Sequence, residues 1–248
     1  MTHVLLKAGT AIPSKDKLHP ELRPHMPAIE RLAKLSEDQH GLTWDKLLSG
    51  PPVHHSDLEE LNRSVFEHGR SDRAGRYSSG VYSIPFLHPE YVDDLLTEIA
   101  AMSFEVNADE EAEVQIPEVT LQDRCPSLHA ALASLFMHVV GPLAKILYQL
   151  DPKFIQSIQF AQYRPQEVAK GHWHHDQDSD ITLVVALSDD HKGGGTMVKP
   201  QGFGEPFEVP QLPLGHAMLF QGSRTLHYGM PVTEGARNLL VFWSTLRK

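Results

Sequence analysis

After Asp151 and Pro152 the apolar pattern of this chain changes from a helical period to a strand-like one. Short apolar runs then recur at 154–162, 181–187, 195–199, 207–209, 217–220, 225–228 and 238–244, separated by glycine and proline turns. Many short strands with such punctuation close a core only as a sandwich or a barrel. Upstream the pattern is helical. Residues 27–40 have helix-forming composition with Pro27 suited to a first turn, and Ser56 with Glu59 forms a capping box for a helix over 56–68. Pro89 opens a helix to about Met102, and Ser127 is placed to cap a long apolar helix over 128–150, broken at Gly141-Pro142. Residues 1–26 read as an irregular arm. Residues 69–79 and the acidic 105–113 read as loops.

Within the strand-rich part, residues 171–176 (GHWHHD) carry the densest chemistry. In an extended strand alternate side chains share a face, so His174 and Asp176 lie a single pleat apart on one side. His172 shares that face and is the rival to His174, whereas Trp173 and His175 point the other way, Trp173 to pack between sheets. His227 is the candidate third ligand from a distant strand. Two imidazoles and one carboxylate with positions left open form the facial triad of non-haem Fe(II) sites. His-x-Asp alone is a weak signal in a chain with 16 histidines. Arg237, ten residues beyond His227 at the head of an apolar run, strengthens it, because a guanidinium captures a carboxylate bidentately. Tyr163, eleven residues before His174, could donate to the same carboxylate or be a core tyrosine. Gly193–Gly195 reads as a hairpin turn rather than a phosphate loop, since no Gly-Lys-Ser/Thr follows.

These motifs carry a resemblance. Residues 159–198, with tyrosine, His-His-Asp, threonine, Val-Ala-Leu and Gly-Gly-Gly in that order, resemble the iron-binding half of a prolyl/lysyl-hydroxylase-type catalytic domain, most of all the procollagen lysyl hydroxylases. Residues 212–243 are similar to the second half, with a Pro-x-Gly turn, the distal histidine and G-x-PV-x-x-G-x-R. Residues 80–99 resemble the strand and helix that open such a domain. The resemblance covers about 80–246, and one extra residue lies between Asp176 and Thr182, so the loop beside the metal is expected to differ.

The resemblance implies an α+β, mainly β fold: a double-stranded β-helix (jelly roll) with supporting helices N-terminal to and packed on the barrel. It divides the chain into an N-terminal helical or irregular extension, 1–79, and a dioxygenase domain, 80–248, with helices over 88–150 and the jelly-roll core over 153–247. It implies Fe(II) on His174, Asp176 and His227, and 2-oxoglutarate on Arg237, with Tyr163 and Thr182 as further contacts. O2 is the second co-substrate and ascorbate an additional candidate. The implied reaction is hydroxylation of an unactivated C–H bond, with a lysine or peptide side chain as the candidate substrate and release of succinate and CO2. A free amino acid, another small molecule or a nucleobase, hydroxylated or demethylated, is the alternative. Asp178 and Asp180, beside the metal motif, are candidates to receive a cationic substrate.

Composition narrows the other classes. At 248 residues and 41% hydrophobic, the chain can bury a substantial core. A net charge of −10 opposes general attraction to phosphate backbones, so nucleic acid is not the expected partner. The single cysteine, Cys125, permits no intrachain disulfide, and no signal-peptide pattern or run of 18 apolar residues is present, so a cytoplasmic protein off the membrane is expected. A cupin-like protein would want a glutamate soon after His172-Trp-His174, and 175–182 contains none. A zinc hydrolase would have no use for Arg237. Oligomeric state is left open.

Overall fold

The structure is a computed structural model, and it describes residues 17–39, 54–69, 78–106, 115–200 and 205–247. The helices are α1 Met26–Gln39, α2 His55–Ser64, α3 Pro89–Ile99, α4 Leu121–Arg124 and α5 Pro126–Tyr148. A large antiparallel sheet has the order β1 (Phe66–Glu67), β2 (Val81–Pro85), β9 (His216–Phe220), β5 (Ile181–Ala186), β12 (Arg237–Thr245), β4 (Phe154–Tyr163), β3 (Glu118–Thr120). A smaller sheet has the order β10 (Leu226–Gly229), β7 (Thr196–Lys199), β8 (Phe207–Val209), and a ribbon pairs β11 (Val232–Glu234) with β6 (Lys192–Gly193). The large and small sheets face each other through Val81, Met218 and Phe220 on one side and Val198 and Val209 on the other. This is a jelly roll with helices on the outer face of its large sheet.

The two-residue period of β12 separates the layers. Leu240 and Phe242 are fully buried in the main core that the helices share, and Phe136 of α5 stacks on Phe242 with ring centroids 5.5 Å apart. Arg237, Leu239, Val241 and Trp243 point the opposite way and line the cavity between the sheets. A one-residue slip would exchange these two sets. The register is held by pairing on both sides, Leu239 lying opposite Ala161 of β4 and Ala186 of β5.

The helices depart from expectation in detail. Helix α5 runs unbroken through Gly141-Pro142 and starts at Pro126, with Cys125 as N-cap and no side-chain cap from Ser127. Pro142 removes one helical N–H. The stripe Leu128, Leu132, Leu135, Phe136, Val139, Val140, Leu143 is buried along both halves, and this continuous burial keeps the helix whole. By length and apolarity alone α5 could cross a bilayer; here that stripe forms the core. Helix α2 has His54 as N-cap without a side-chain bond, and Ser56 lies inside the helix, so the capping box is not formed. It stops at Ser64 because the next residues enter β1, pairing Phe66 with Ser83 and Glu67 with Tyr82. Helices α1 and α2 and strand β1 all come from the segment read as an extension, and Ile29, Leu32 and Leu61 join the main core. The arginine-bearing residues 70–77 and most of the acidic 105–113 segment lie outside the described residues.

Candidate active site

The GHWHHD segment is not a regular strand. It meets β10 of the small sheet through an antiparallel bridge in which His174 and His227 exchange both backbone hydrogen bonds at 3.0 Å, and through Gly171 N–H, which bonds Gly229 O at 2.9 Å. The bridge brings the two imidazoles together, with ring centroids 4.3 Å apart. Asp176 is anchored next door by its N–H to Gly222 O at 3.1 Å. The ligand atoms of His174, Asp176 and His227 all lie within 4.8 Å of one another, with Asp176 Oδ1 3.4 Å from His174 Nε2 and 3.9 Å from His227 Nε2. His172 is exposed, and what it supplies is its carbonyl, which accepts from His174 Nδ1 at 2.8 Å. Trp173, expected between the sheets, is 43% exposed and packs edge-on against Tyr228, because the segment has left the sheet. His175 is exposed.

The donor set fits a divalent metal. A carbonyl only accepts, so the bonds from His174 Nδ1 to His172 O and from His227 Nδ1 to Thr225 O (2.9 Å) place the ring protons on Nδ1. Both Nε2 lone pairs then point to the side of Asp176, the outer-shell arrangement that orients metal-binding histidines. Burial lowers the His227 pKa, partly offset by the Asp176 charge, so the ring is neutral near pH 7. Burial pushes Asp176 up, but the imidazoles of His174 and His227 beside it and the Thr182 hydroxyl outweigh it and hold the carboxyl below its ordinary value.

Thr182, expected against the co-substrate, instead donates to Asp176 Oδ2 at 2.7 Å and lies 2.9 Å from Ser179 Oγ, fully buried. Its side chain points from β5 under the ligand carboxylate because Gly222 leaves room there: a Cβ on Gly222 would sit 2.3 Å from Thr182 Oγ1. Ser179 and Gly222 had no signal in the sequence, since each acts only through a neighbour remote along the chain. The loop with the extra residue is tied down, Asp180 N–H bonding Ser244 O and Ser223 N–H bonding Ser179 O. Asp178 and Asp180 do not face the metal cluster. They border a separate open groove with Gln156 and Leu246, and Asp180 accepts from Leu246 N–H at 2.8 Å. Ser179 is the residue of this loop that turns inward, at 1% exposure, which directs its two neighbours outward.

The triad opens into a cavity of about 160 Å³ whose far end holds Arg237. Arg237 is buried; its Nη2 donates to Thr196 Oγ1 at 3.3 Å, and its Nη1 is buried with no hydrogen-bond partner. Burial lowers its pKa, yet a guanidinium stays charged at neutral pH. A buried cation with an unanswered N–H calls for an anion. Tyr163 stands opposite Arg237 in the β4–β12 register, with the guanidinium carbon 5.6 Å from its ring centroid. A Cβ on Gly229 would come 3.2 Å from Tyr163 Oη and 3.3 Å from Arg237 Nη1, so this end is a cradle closed by glycine backbone. The Gly193–Gly195 turn has positive φ throughout, and a Cβ on Gly194 (φ +84°) would press on His191 Nε2 at 3.0 Å and Arg237 Cδ at 3.2 Å. Thr196, His191 and Trp243 complete surroundings that the sequence reading did not single out.

No family model matches the sequence. PKHD-type hydroxylases of Xanthomonas euvesicatoria pv. vesicatoria and Xanthomonas axonopodis pv. citri are each 37% identical to it over 67 residues, 27% of this chain. The match spans only 28% of the length of those curated relatives. Among solved structures, a Pseudomonas putida prolyl-4-hydroxylase superposes with a TM-score of 0.51 at 19% identity, covering 68% of this chain and 94% of that one. An oxidoreductase of the 2OG-Fe(II) oxygenase family from Burkholderia pseudomallei gives 0.54 at 15% identity, covering 68% and 86%. The epimerase SnoN, in complex with Fe3+, alpha ketoglutarate and nogalamycin RO, gives 0.51 at 16% identity, covering 67% and 78%. The chain thus has the jelly-roll fold of the 2-oxoglutarate/Fe(II) oxygenases, with a His-Asp-His cluster between its sheets.

Proposed function

We propose that this protein is an Fe(II)- and 2-oxoglutarate-dependent dioxygenase that hydroxylates an unactivated C–H bond, releasing succinate and CO2. One observation carries the reading: the unpartnered Nη1 of buried Arg237 lines the same cavity as His174, Asp176 and His227. Of the classes considered, only one whose co-substrate presents an anion at one end and a metal-chelating group at the other uses both ends of this cavity. His174 and His227 through Nε2, and Asp176 through Oδ1, would hold Fe(II), which when bound supplies the activation of O2. The chain's own part is positional. Arg237 and Thr196 bind and orient the far carboxylate of 2-oxoglutarate, with Tyr163 packed beside them. Thr182 holds Asp176 in place, and Leu239, Val241 and Val184 give the intervening wall an apolar surface that excludes water. One oxygen atom of O2 ends in succinate and the other in the hydroxylated product, so atoms and electrons balance without a further reductant.

The primary substrate on this reading is a lysine-like or other cationic side chain of a peptide. Glu118 and Gln159 line the triad cavity and also border an open groove with Glu105 and Asp123, whose cation, Arg124, is engaged by Glu105. A prolyl substrate is the second reading, favoured by the likeness to the prolyl-4-hydroxylase fold. Calorimetric titration of 2-oxoglutarate into Mn(II)-loaded protein, then succinate assay in air with Fe(II), tests the activity. Binding that requires the metal and Arg237 supports it, and no binding under those conditions refutes it. Lysine-containing against proline-containing peptides as stimulants of succinate release then decide between the two substrates.

A further inference from the structure

A second cluster of metal-ligating side chains lies outside the cavity, and nothing in the reaction uses it. The ligand atoms of His19, Glu21 and His216 lie within 4.8 Å of one another, and among the described residues only this cluster and the triad meet that condition. We propose that His19, Glu21 and His216 form a divalent-metal site of the zinc type, which clamps the segment before α1 to the start of strand β9.

The backbone at both ends of the cluster is already held against residues 85–88. His19 N–H bonds Phe86 O at 3.0 Å, Leu18 bridges Leu87, and His88 N–H bonds Lys17 O at 2.9 Å. On the other side His216 is the register partner of Pro85, and Gly215 O accepts from Phe86 N–H at 3.1 Å and Leu87 N–H at 2.8 Å. Gly215 has φ +77°, and a Cβ there would fall 2.2 Å from Leu87 O, so the close approach that delivers His216 depends on glycine. The two rings meet edge to face at 5.0 Å.

The chemistry suits zinc. Two imidazoles and a carboxylate are borderline nitrogen and oxygen donors, and bond lengths of about 2.0–2.2 Å place tetrahedral ligands roughly 3.4 Å apart. Glu21 is exposed, so its carboxylate can move to close the cluster to that spacing. Burial lowers the pKa of His19, as does the neighbouring His216, and burial lowers that of His216, so both rings are neutral near pH 7. Glu21 N–H donates to His19 Nδ1 at a long 3.2 Å, and ligation through Nε2 would move the ring proton to Nδ1 and give up this bond. His88 caps α3 by accepting from Glu90 N–H, and Arg23, whose Nε donates to Leu18 O, is the nearby cation that opposes the ion. With three protein donors, the fourth position is left to water.

The test uses the full chain, stripped with chelator and titrated with Zn(II) alone, with stoichiometry read by elemental analysis after gel filtration. The triad variant Asp176→Ala/His227→Ala should keep one equivalent, and adding His216→Ala should remove it. Glu21→Gln on the triad variant changes an exposed side chain and cannot unfold the core, so it decides the matter if His216→Ala fails to fold. It should weaken Zn(II) binding by about tenfold or more, since losing even an outer-shell partner costs that much. A folded triad variant that binds no Zn(II), or one whose equivalent survives Glu21→Gln with unchanged affinity, overturns the proposal. Because the triad is disabled throughout, neither result bears on the proposed oxygenase activity.

Discussion

Arg237 and Tyr163 are register partners on neighbouring strands, both buried, with the guanidinium carbon 5.6 Å from the phenol ring. The arginine is therefore fixed by the sheet itself, and its free Nη1 is aimed by β12 rather than by a flexible loop. Removing a charged bidentate partner from a desolvated pocket costs about 2–5 kcal/mol, roughly 30-fold to several-thousand-fold in affinity. Arg237→Gln should raise the KM for 2-oxoglutarate by that factor while Mn(II) affinity stays within about twofold. Equal loss of metal and 2-oxoglutarate binding in calorimetry would show that Arg237 only supports the fold.

Thr182 offers a different separation. Its hydroxyl donates to Asp176 Oδ2, so Thr182→Val keeps the strand shape and removes the bond. Outer-shell losses of this kind cost about 10–100-fold in metal affinity. Metal titration of the variant should show that loss with the thermal midpoint of the metal-free protein little changed. A wild-type metal affinity would mean that Asp176 needs no positioning.

Asp178 and Asp180 border a groove apart from the triad. Asp178→Asn should leave both basal and substrate-stimulated succinate release unchanged. Asp180→Ala loses the acceptor for Leu246 N–H and should lower stability by about 1 kcal/mol in urea titration. Loss of substrate stimulation in Asp178→Asn would return this loop to the substrate site.

Burial lowers the pKa of His19, His68, His129, His191, His216 and His227. The unfolded chain takes up protons on these rings as pH falls through about 6.5, and the folded chain does so only at lower pH. The unfolded state binds more protons in that window, so stability rises with pH there. Metal-free protein should lose stability steadily below about pH 6.5 in thermal melts at fixed ionic strength. A flat profile between pH 7 and 5 would show that these histidines are not held neutral.

Much of this protein could be read directly from its residues. The period-2 runs after Pro152 all became strands, because alternation of apolar side chains can be satisfied only by a sheet with one face in the core. His174, Asp176, His227 and Arg237 were singled out by motif, spacing and resemblance, and the fold brings the three ligand candidates within 4.8 Å of one another with Arg237 lining the same cavity. Tertiary structure decided what depends on partners remote along the chain. Helix α5 passes through Gly141-Pro142 because its stripe meets Phe242 and the sheet, a contact no local rule contains. Thr182 turned out to serve Asp176 instead of the cavity, and Asp180 to serve Leu246, because the inward Ser179 sets the direction of that loop. His19, Glu21 and His216 were invisible as a group, since only the pairing of both segments with residues 85–88 brings them together. Sequence determines which side chains can bury, pair or ligate; the fold determines which of them meet, because hydrogen-bonded register and close packing act between segments that the chain itself keeps far apart.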